Sequence, residues 1–341
     1  MSILNIFDND AFSVVARSRA LSQQPPAPAR IRSLGIFTPV PVATTTVALE
    51  SIDGSLSIVP STRRGGPGVT QQRDRAQIRD LRIPRFLVED VITADDLQNV
   101  RVLGTDSELA RAESVFNEKI AKANRNLDTT EEFLMLGALR GLVQDRDIDG
   151  NLRTLLNLFD LFGLTAPTPT DFNLTASNPA RGALNDAVSA EVYAIEDALD
   201  GIPFQRVHAF VGRTFARNFR SHPEFQAALL NEPYNVRAER NGGEGYTWQF
   251  AGVTFEVMSR RINGAPFVGD NEAIFFPVGA EGVAEVYYGP ADYVETANTI
   301  GLPRYVNNWS LNPRARHVEV QMNVLPVWRK PAALRRAIGN A

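Results

Sequence analysis

Thr44–Pro84, TTTVALESIDGSLSIVPSTRRGGPGVTQQRDRAQIRDLRIP, is the stretch on which the reading of the fold turns. It begins as a strand, because Thr44, Thr45, Thr46, Val47, Ala48, Leu49 and Glu50 are rich in the β-branched types that fit a pleated, half-buried surface. Asp53-Gly54 is a hairpin-turn signal, and Leu56, Ile58 and Val59 are expected to supply the return strand. Next come Arg63-Arg64-Gly65-Gly66-Pro67-Gly68 and a very polar run from Thr70 to Arg75, before Arg79, Leu81, Ile83 and Pro84 resume the alternation. Residues 50–85 therefore read as a long β arm with a polar, glycine-rich part. Such an arm holds too little apolar surface for a core of its own, and an isolated two-stranded ribbon is marginal in water. It needs another surface, and a neighbouring copy of the chain is the simplest candidate.

The N-terminal side repeats that demand. Residues 1–20 form a short amphipathic stretch with Ile3, Leu4, Ile6, Phe7, Phe12, Val14 and Val15 as its apolar members. Ser22–Pro28 (SQQPPAP) tethers it, since proline fixes φ and blocks helix. The stretch can dock on its own domain or on a neighbour, and the sequence leaves both open.

On the C-terminal side, residues 105–145 carry the clearest helical period. Leu109, Ala112, Phe116, Ile120, Ala123 and Leu127 step by three or four, and Leu134, Ala138 and Leu142 continue the stripe. Thr105 and Glu108 make a capping box, Asp128-Thr129-Thr130 is a place for a kink, and the whole run would span roughly 60 Å. A turn at Asp147–Asn151 separates Leu142-Val143-Gln144 from Arg153–Leu158 as a hairpin. Pro167 and Pro169 mark a boundary. Beyond it the pattern gives a helix on Leu184, Val188, Val192, Ile195 and Leu199, a short strand at Val207–Gly212 and a helix from Thr214 to Asn231. After the glycine-rich loop Asn241–Gly245 come a hairpin of Tyr246–Phe250 with Val253–Val257, a strand at Ala273–Pro277 and a long strand at His317–Val327. Glu89, Asp90, Asp95 and Asp96 flank an apolar strand and are expected to begin a helix.

Composition bounds the function. With 341 residues, 44% hydrophobic and 22% charged, the chain is an ordinary globular sequence of about two domains. Cysteine is absent, so disulfides and thiolate metal sites are excluded. The net charge of −4 argues against a dedicated nucleic-acid binder, though not against a container with weak contact to its contents. No apolar run long enough to span a membrane and no signal-peptide pattern occurs. Lysine occurs only at Lys119, Lys122 and Lys330; arginine, favoured at interfaces, supplies the rest of the cations, and codon bias would do the same.

Chemistry-bearing motifs are scarce. His208, His222 and His317 have no metal-ligand spacing; His208 fits a packed structural histidine, His222 a solvent-facing residue at a helix break, and His317 a surface position. Asp145, Asp147 and Asp149 precede Gly150, but Leu156 stands where a calcium loop needs its bidentate Glu, so a solvated turn is expected. Arg63–Gly68 could cradle an anion, but a bend in the arm fits better. Phosphate-loop, dinucleotide, nucleophile-elbow and zinc-protease motifs are missing. A hydrolase built on Asp145, Asp147, Asp149 and His208 is the enzymatic alternative; the expectation is no enzyme, no cofactor and no metal.

Several blocks resemble a known family. They are Ala273–Pro277, Tyr288-Gly289-Pro290-Ala291-Asp292-Tyr293 running on to Thr299, and Gly301-Leu302-Pro303-Arg304-Tyr305. The ending agrees through Trp309, Asn312-Pro313, Val320–Val327 and Lys330-Pro331, as do Gly137–Gly141, Asp149-Gly150 and Leu156–Phe159 upstream. Together these resemble the major capsid protein E family of lambda-like tailed bacteriophages, over nearly the whole chain.

The resemblance implies an α+β fold of the Hong Kong 97 capsid type. Residues 1–30 would be an N-arm, 31–49 a peripheral-domain strand and 50–85 an extended loop. Residues 86–168 would hold the peripheral domain with its spine helix, 169–302 the axial domain, and 303–341 a return to the peripheral domain. The implied role is a virion shell subunit, assembled in the host bacterial cytoplasm into pentamers and hexamers around double-stranded DNA. An encapsulin-like nanocompartment shell is the alternative. Implied partners are sister copies, a separate scaffolding protein, a portal and a decoration protein, with non-specific contact to packaged DNA and no membrane. Inter-subunit contacts are expected at Ile6, Phe7, Phe12, Arg63, Arg64, Gly65, Gly66, Arg73 and Arg75. Residues 31–118 hold no lysine, so the isopeptide cross-link that some relatives form from this loop is not available here.

Overall fold

The computed structural model describes residues 18, 21, 29–51, 77–93, 95–96, 108–147, 149–231, 239–240, 245–262, 265–312 and 315–340. In chain order the first half gives α1 (Arg30–Ser33), β1 (Thr38–Pro41), β2 (Thr46–Ser51), β3 (Gln77–Arg82), β4 (Arg85–Thr93), α2 (Glu108–Leu139), β5 (Leu142–Arg146), β6 (Leu152–Asn157), α3 (Leu158–Leu161) and β7 (Thr170–Asp171). Then follow α4 (Ala183–Leu199), β8 (Arg206–Val211), α5 (Arg213–Ser221), α6 (Pro223–Asn231), β9 (Glu239–Arg240), β10 (Tyr246–Phe250) and β11 (Val253–Val257). The chain ends through β12 (Arg261–Ile262), β13 (Ala265–Pro266), β14 (Glu272–Val278), β15 (Ala284–Tyr288), β16 (Tyr305–Asn312), β17 (Ala315–Trp328) and β18 (Arg335–Ile338).

Two sheets share one continuous core. The first is built on β17. Its N-terminal half lies antiparallel between β4 and β16, and its C-terminal half pairs with β15, to which β1 adds in parallel. The second sheet runs β7-β18-β14-β8-β11-β10-β9. Strand pairing crosses the boundaries expected from sequence: Ala284–Tyr288, inside the expected axial stretch, joins the first sheet, and Arg335–Ile338, inside the expected peripheral return, joins the second.

Helix α2 packs on β17 and β5. Its 32 residues span about 48 Å, less than the run expected from sequence. It continues through Asp128-Thr129-Thr130, where the Thr129 and Thr130 hydroxyls donate back to the Arg125 and Asn126 carbonyls at 2.9 Å in place of capping a new start. The helix ends because the chain turns at Gly141, with φ +80°, and Leu142 belongs to a strand rather than to the stripe. Gly137 is needed for a different reason: a Cβ there would sit 2.7 Å from the Leu142 carbonyl oxygen, so its absence lets the β5–β6 hairpin fold back on the helix.

Other expectations need correction. The strand paired with β2 is β3, from Thr46 opposite Arg82 to Ser51 opposite Gln77; Leu56–Val59 lies outside the described residues. Glu89 and Asp90 lie within β4 rather than at a helix start. The helix expected over 214–231 is two helices, since Pro223 forces His222 into an extended conformation (φ −66°, ψ 136°). His222 is buried, 2% exposed, not solvent-facing. The β10–β11 hairpin turns as expected on Ala251-Gly252, both at positive φ.

Candidate assembly interface

All nine expected contact residues fall outside the described residues: Ile6, Phe7 and Phe12 lie in 1–17, and Arg63, Arg64, Gly65, Gly66, Arg73 and Arg75 in 52–76. The structure instead describes the residues that border those stretches. On the N-terminal side Ser18 and Leu21 are buried against the chain's own body, and the Val306 N–H donates to the Ser18 hydroxyl at 3.0 Å. Self-docking therefore holds at these two positions.

Three consecutive residues of α1 then fasten the segment. The Arg30 guanidinium bonds the Glu256 carboxylate through two nitrogens, at 2.6 and 2.9 Å. Ile31 is fully buried, and its N–H donates to Glu132 Oε1 at 2.7 Å. Arg32 pairs with Glu131. Glu256 lies on β11 of the second sheet and Glu131 and Glu132 on α2, so α1 ties the second sheet to the long helix.

Both anchor points are buried charge clusters. Glu131 is 0% exposed and also accepts from Arg304 at 2.7 Å and from the Tyr288 hydroxyl at 2.6 Å. Arg304 reaches Asp128 at 2.5 Å and Asn124 Oδ1 at 3.0 Å as well. Burial alone would raise Glu131, but the two guanidiniums outweigh it and hold the carboxyl below its ordinary range. Burial, with Glu131 beside it, pushes the Tyr288 phenol up. In the second cluster His208 Nε2 lies 3.1 Å from Glu256 Oε2, and burial lowers the imidazole, so a neutral ring donates to a carboxylate that Arg30 also neutralises. His208 is a packed histidine between Phe210 and Phe276, as its sequence setting suggests.

On either side of residues 52–76, β2 and β3 form a two-stranded ribbon joined to no other sheet among the described residues. Val47 and Leu49 turn one face of it into the core, while Arg79, Asp80 and Arg82 are exposed. Lys119 is spent inside the body, bonding Asp90 and the Val91 carbonyl at 3.0 and 2.9 Å.

The enzymatic alternative gains nothing from the geometry. Asp145 is held by a bidentate bond from Arg153, at 3.0 and 2.6 Å, and Asp147 accepts the Asn151 N–H at 2.8 Å to close the turn. Among the described residues no group of three or more His, Asp or Glu side chains could hold a metal. His317 is partly buried, stacked on Trp309 and 2.9 Å from Glu89. No helix among the described residues is long and apolar enough to cross a membrane.

Two sheets, a long helix packed on the first of them, α1 tied to both that helix and the second sheet, and a separate β2–β3 ribbon make this an α+β fold. A protein assigned as a prophage capsid protein of E. coli CFT073 has a similar crystal structure, with a TM-score of 0.58 at 14% identity, covering 93% of this chain and 94% of that one. The family model for phage major capsid protein E matches residues 13–338, and the chain belongs to that family. It is 24% identical to the major capsid protein of Salmonella phage Felix O1, over 89% of this chain and 90% of that protein. It is likewise 24% identical to the major capsid protein of Pseudomonas phage KPP10, over 85% of each.

Family blocks acquire physical reasons here. Arg304 of the Gly301–Tyr305 block is the buried cation of the first cluster, and a Cβ at Gly301 would stand 2.1 Å from the Tyr288 carbonyl oxygen. Gly141 of the Gly137–Gly141 block leaves room for the Phe159 ring.

Proposed function

We propose that the chain is the shell-forming subunit of a tailed-phage head, with the Hong Kong 97 type of organisation, building pentamers and hexamers around double-stranded DNA. Match of residues 13–338 to phage major capsid protein E carries the reading. Residues 1–30 serve as the N-arm and 50–85 as the extended loop. The first sheet with α2 is the peripheral domain, and the second sheet with α4–α6 the axial domain. Strand pairing supports assigning 284–288 to the former and 335–338 to the latter.

The role is mechanical rather than catalytic. Each copy lends its loop and arm to neighbours, so that several modest contacts must break together before a subunit leaves. Residues 52–76 support this: Ile52, Leu56, Ile58, Val59 and Val69 are their only Ile, Leu or Val residues, too few for a separate core. A scaffolding protein, a portal and a decoration protein are the further partners of the same proposal, with the host cytoplasm as the place of assembly.

Electron microscopy of the expressed protein, alone and with scaffold, tests the reading. Closed shells of uniform diameter are expected. A protein that stays monomeric at every concentration under both conditions overturns it.

A further inference from the structure

The second sheet carries helices on one face. Phe219 of α5 packs on Trp248, Phe250 and Phe255 of β10 and β11, while Glu191 of α4 pairs with Arg335 of β18 at 2.7 Å. In sheet order β14 and β8 separate β18 from β11, so α4 and α5 stand over different parts of the sheet. Their outer faces carry opposite charge.

On α5, Arg213, Arg217 and Arg220 are spaced by four and three residues, which puts them on one stripe. The stripe borders a groove of about 720 Å³, closed by Gln226, Tyr246 and Ser259, and the described lining contains no carboxylate. Arg213 donates to the Ser259 carbonyl and Arg220 lies over the Tyr246 ring at 4.7 Å, so the groove is preformed, and none of its three guanidiniums is ion-paired with a carboxylate among the described residues. Helix α5 has no acidic residue in its first turn, although Arg213 sits there, at the positive end of the helix dipole.

Helix α4 is the converse. It contains no Lys or Arg, and its exposed stripe is Asp186, Tyr193, Glu196 and Asp197, continued by Asp200 just past its end. Three of those carboxylates crowd the negative end of the helix dipole with no basic residue in the last turn. Tyr193 is 63% exposed in their midst. Each helix answers one of its end charges and leaves the other: α5 has Arg220 in its last turn but no acid in its first, and α4 has Asp186 in its first turn but no base in its last. Tyr193 to Asp200 and Arg213 to Arg220 are both seven-residue steps, roughly 10 Å of helix each.

We infer that copies of this chain join head to tail, the C-terminal acidic stripe of α4 on one copy lying in the arginine groove beside α5 on the next. Two different patches of one chain are involved, so the contact is heterologous and propagates around a ring. Complementary charge sets the register, and Tyr193 meeting Tyr246 supplies the aromatic anchor. This rests on the assembly reading above and names the surfaces it would use.

Sedimentation over a concentration series, with thermal melting as the folding control, tests the contact. Arg217→Glu with Arg220→Glu, and separately Glu196→Arg with Asp197→Arg, should each raise the concentration for half-assembly by about tenfold or more without lowering the melting temperature. Combining all four should restore assembly. Arg217→Glu alone, at an exposed position, serves if a pair fails to fold, and should give a smaller shift of the same sign. Wild-type assembly with either folded pair unchanged, or a four-residue swap no better than the pairs, overturns the contact while leaving the assembly reading intact. Loss of heparin or DNA retention with assembly unchanged would assign the groove to polyanions and equally overturn it. A wild-type chain that never assembles removes the assembly reading itself, and this contact with it.

Discussion

Replacing Arg304 by alanine should cost about 3–5 kcal/mol, the range for removing one partner from a buried ion pair. Arg304 is 4% exposed and serves Asp128 at 2.5 Å, Glu131 at 2.7 Å, Asn124 at 3.0 Å and the Pro303 carbonyl at 2.7 Å. Without it two buried carboxylates one helical turn apart lose their shared buried cation and keep Arg32, which lies 3.9 Å from Asp128. Against a total stability of about 5–15 kcal/mol for a folded domain, that loss is severe. Its pH signature is specific. In the parent chain Glu131 lies below its ordinary value of 4.5, so its contribution is complete above that pH and fades as pH falls through the lowered value. In the variant one of the two guanidiniums is gone and burial pushes Glu131 up, so the deficit relative to the parent chain should shrink on going from about pH 7 to about pH 5. Urea unfolding of the unassembled subunit at both pH values reads the effect. A loss under about 1 kcal/mol, or a loss identical at the two pH values, would refute the account of this cluster.

Joining Ser51 to Gln77 by Asn-Gly in place of residues 52–76 keeps the β2–β3 register and should leave a subunit that melts normally but closes no shells by electron microscopy. Truncation to residue 17 should likewise impair closure while sparing the Ser18 and Leu21 contacts, whereas truncation to residue 24 should also lower the melting temperature. Gly137→Ala should destabilise by about 1–3 kcal/mol despite the helix propensity of alanine, because its Cβ would meet the Leu142 carbonyl; calorimetry decides. Burial lowers both His208 and His222, so stability is complete above about pH 6.5 and falls on acidification; His208→Gln and His222→Gln should each flatten part of the melting-temperature slope between about pH 7.5 and 5.5.

Period carried the sequence reading furthest where one face of an element decides its packing. The three-and-four spacing from Leu109 to Ala138 located α2, though it ran on to Leu142, and the alternation Val318, Val320, Met322, Val324 located β17. What alternation could not give is that the other face of β17 is buried too: Glu319, Gln321 and Asn323 alternate with the apolar positions, yet Gln321 is 0% exposed, and Asn323 accepts from Gln321 and donates to the Pro290 carbonyl. Strand β15 is framed by turn residues, Gly279 and Gly282 before it and Gly289-Pro290 after it, but its five residues are too few for a period to identify. The buried clusters were illegible for another reason. Arg30 and Glu256 are 226 residues apart, and Arg304 and Glu131 are 173, so nothing local links them. A trace existed: Asp128, Glu131 and Glu132 sit among Leu127, Leu134 and Met135 on the apolar side of α2, which a helix tolerates only if cations come to meet them.

Arg30, Ile31 and Arg32 give the molecule one further property. They bolt a single short turn of backbone to the second sheet on one flank and to the long helix on the other. A tug arriving along the preceding residues is thus felt at the seam between the two halves of the body, and not by either half alone. Traction on the tail and the angle across that seam become one mechanical coordinate, so whatever grips the first residues of a copy also has leverage over its shape.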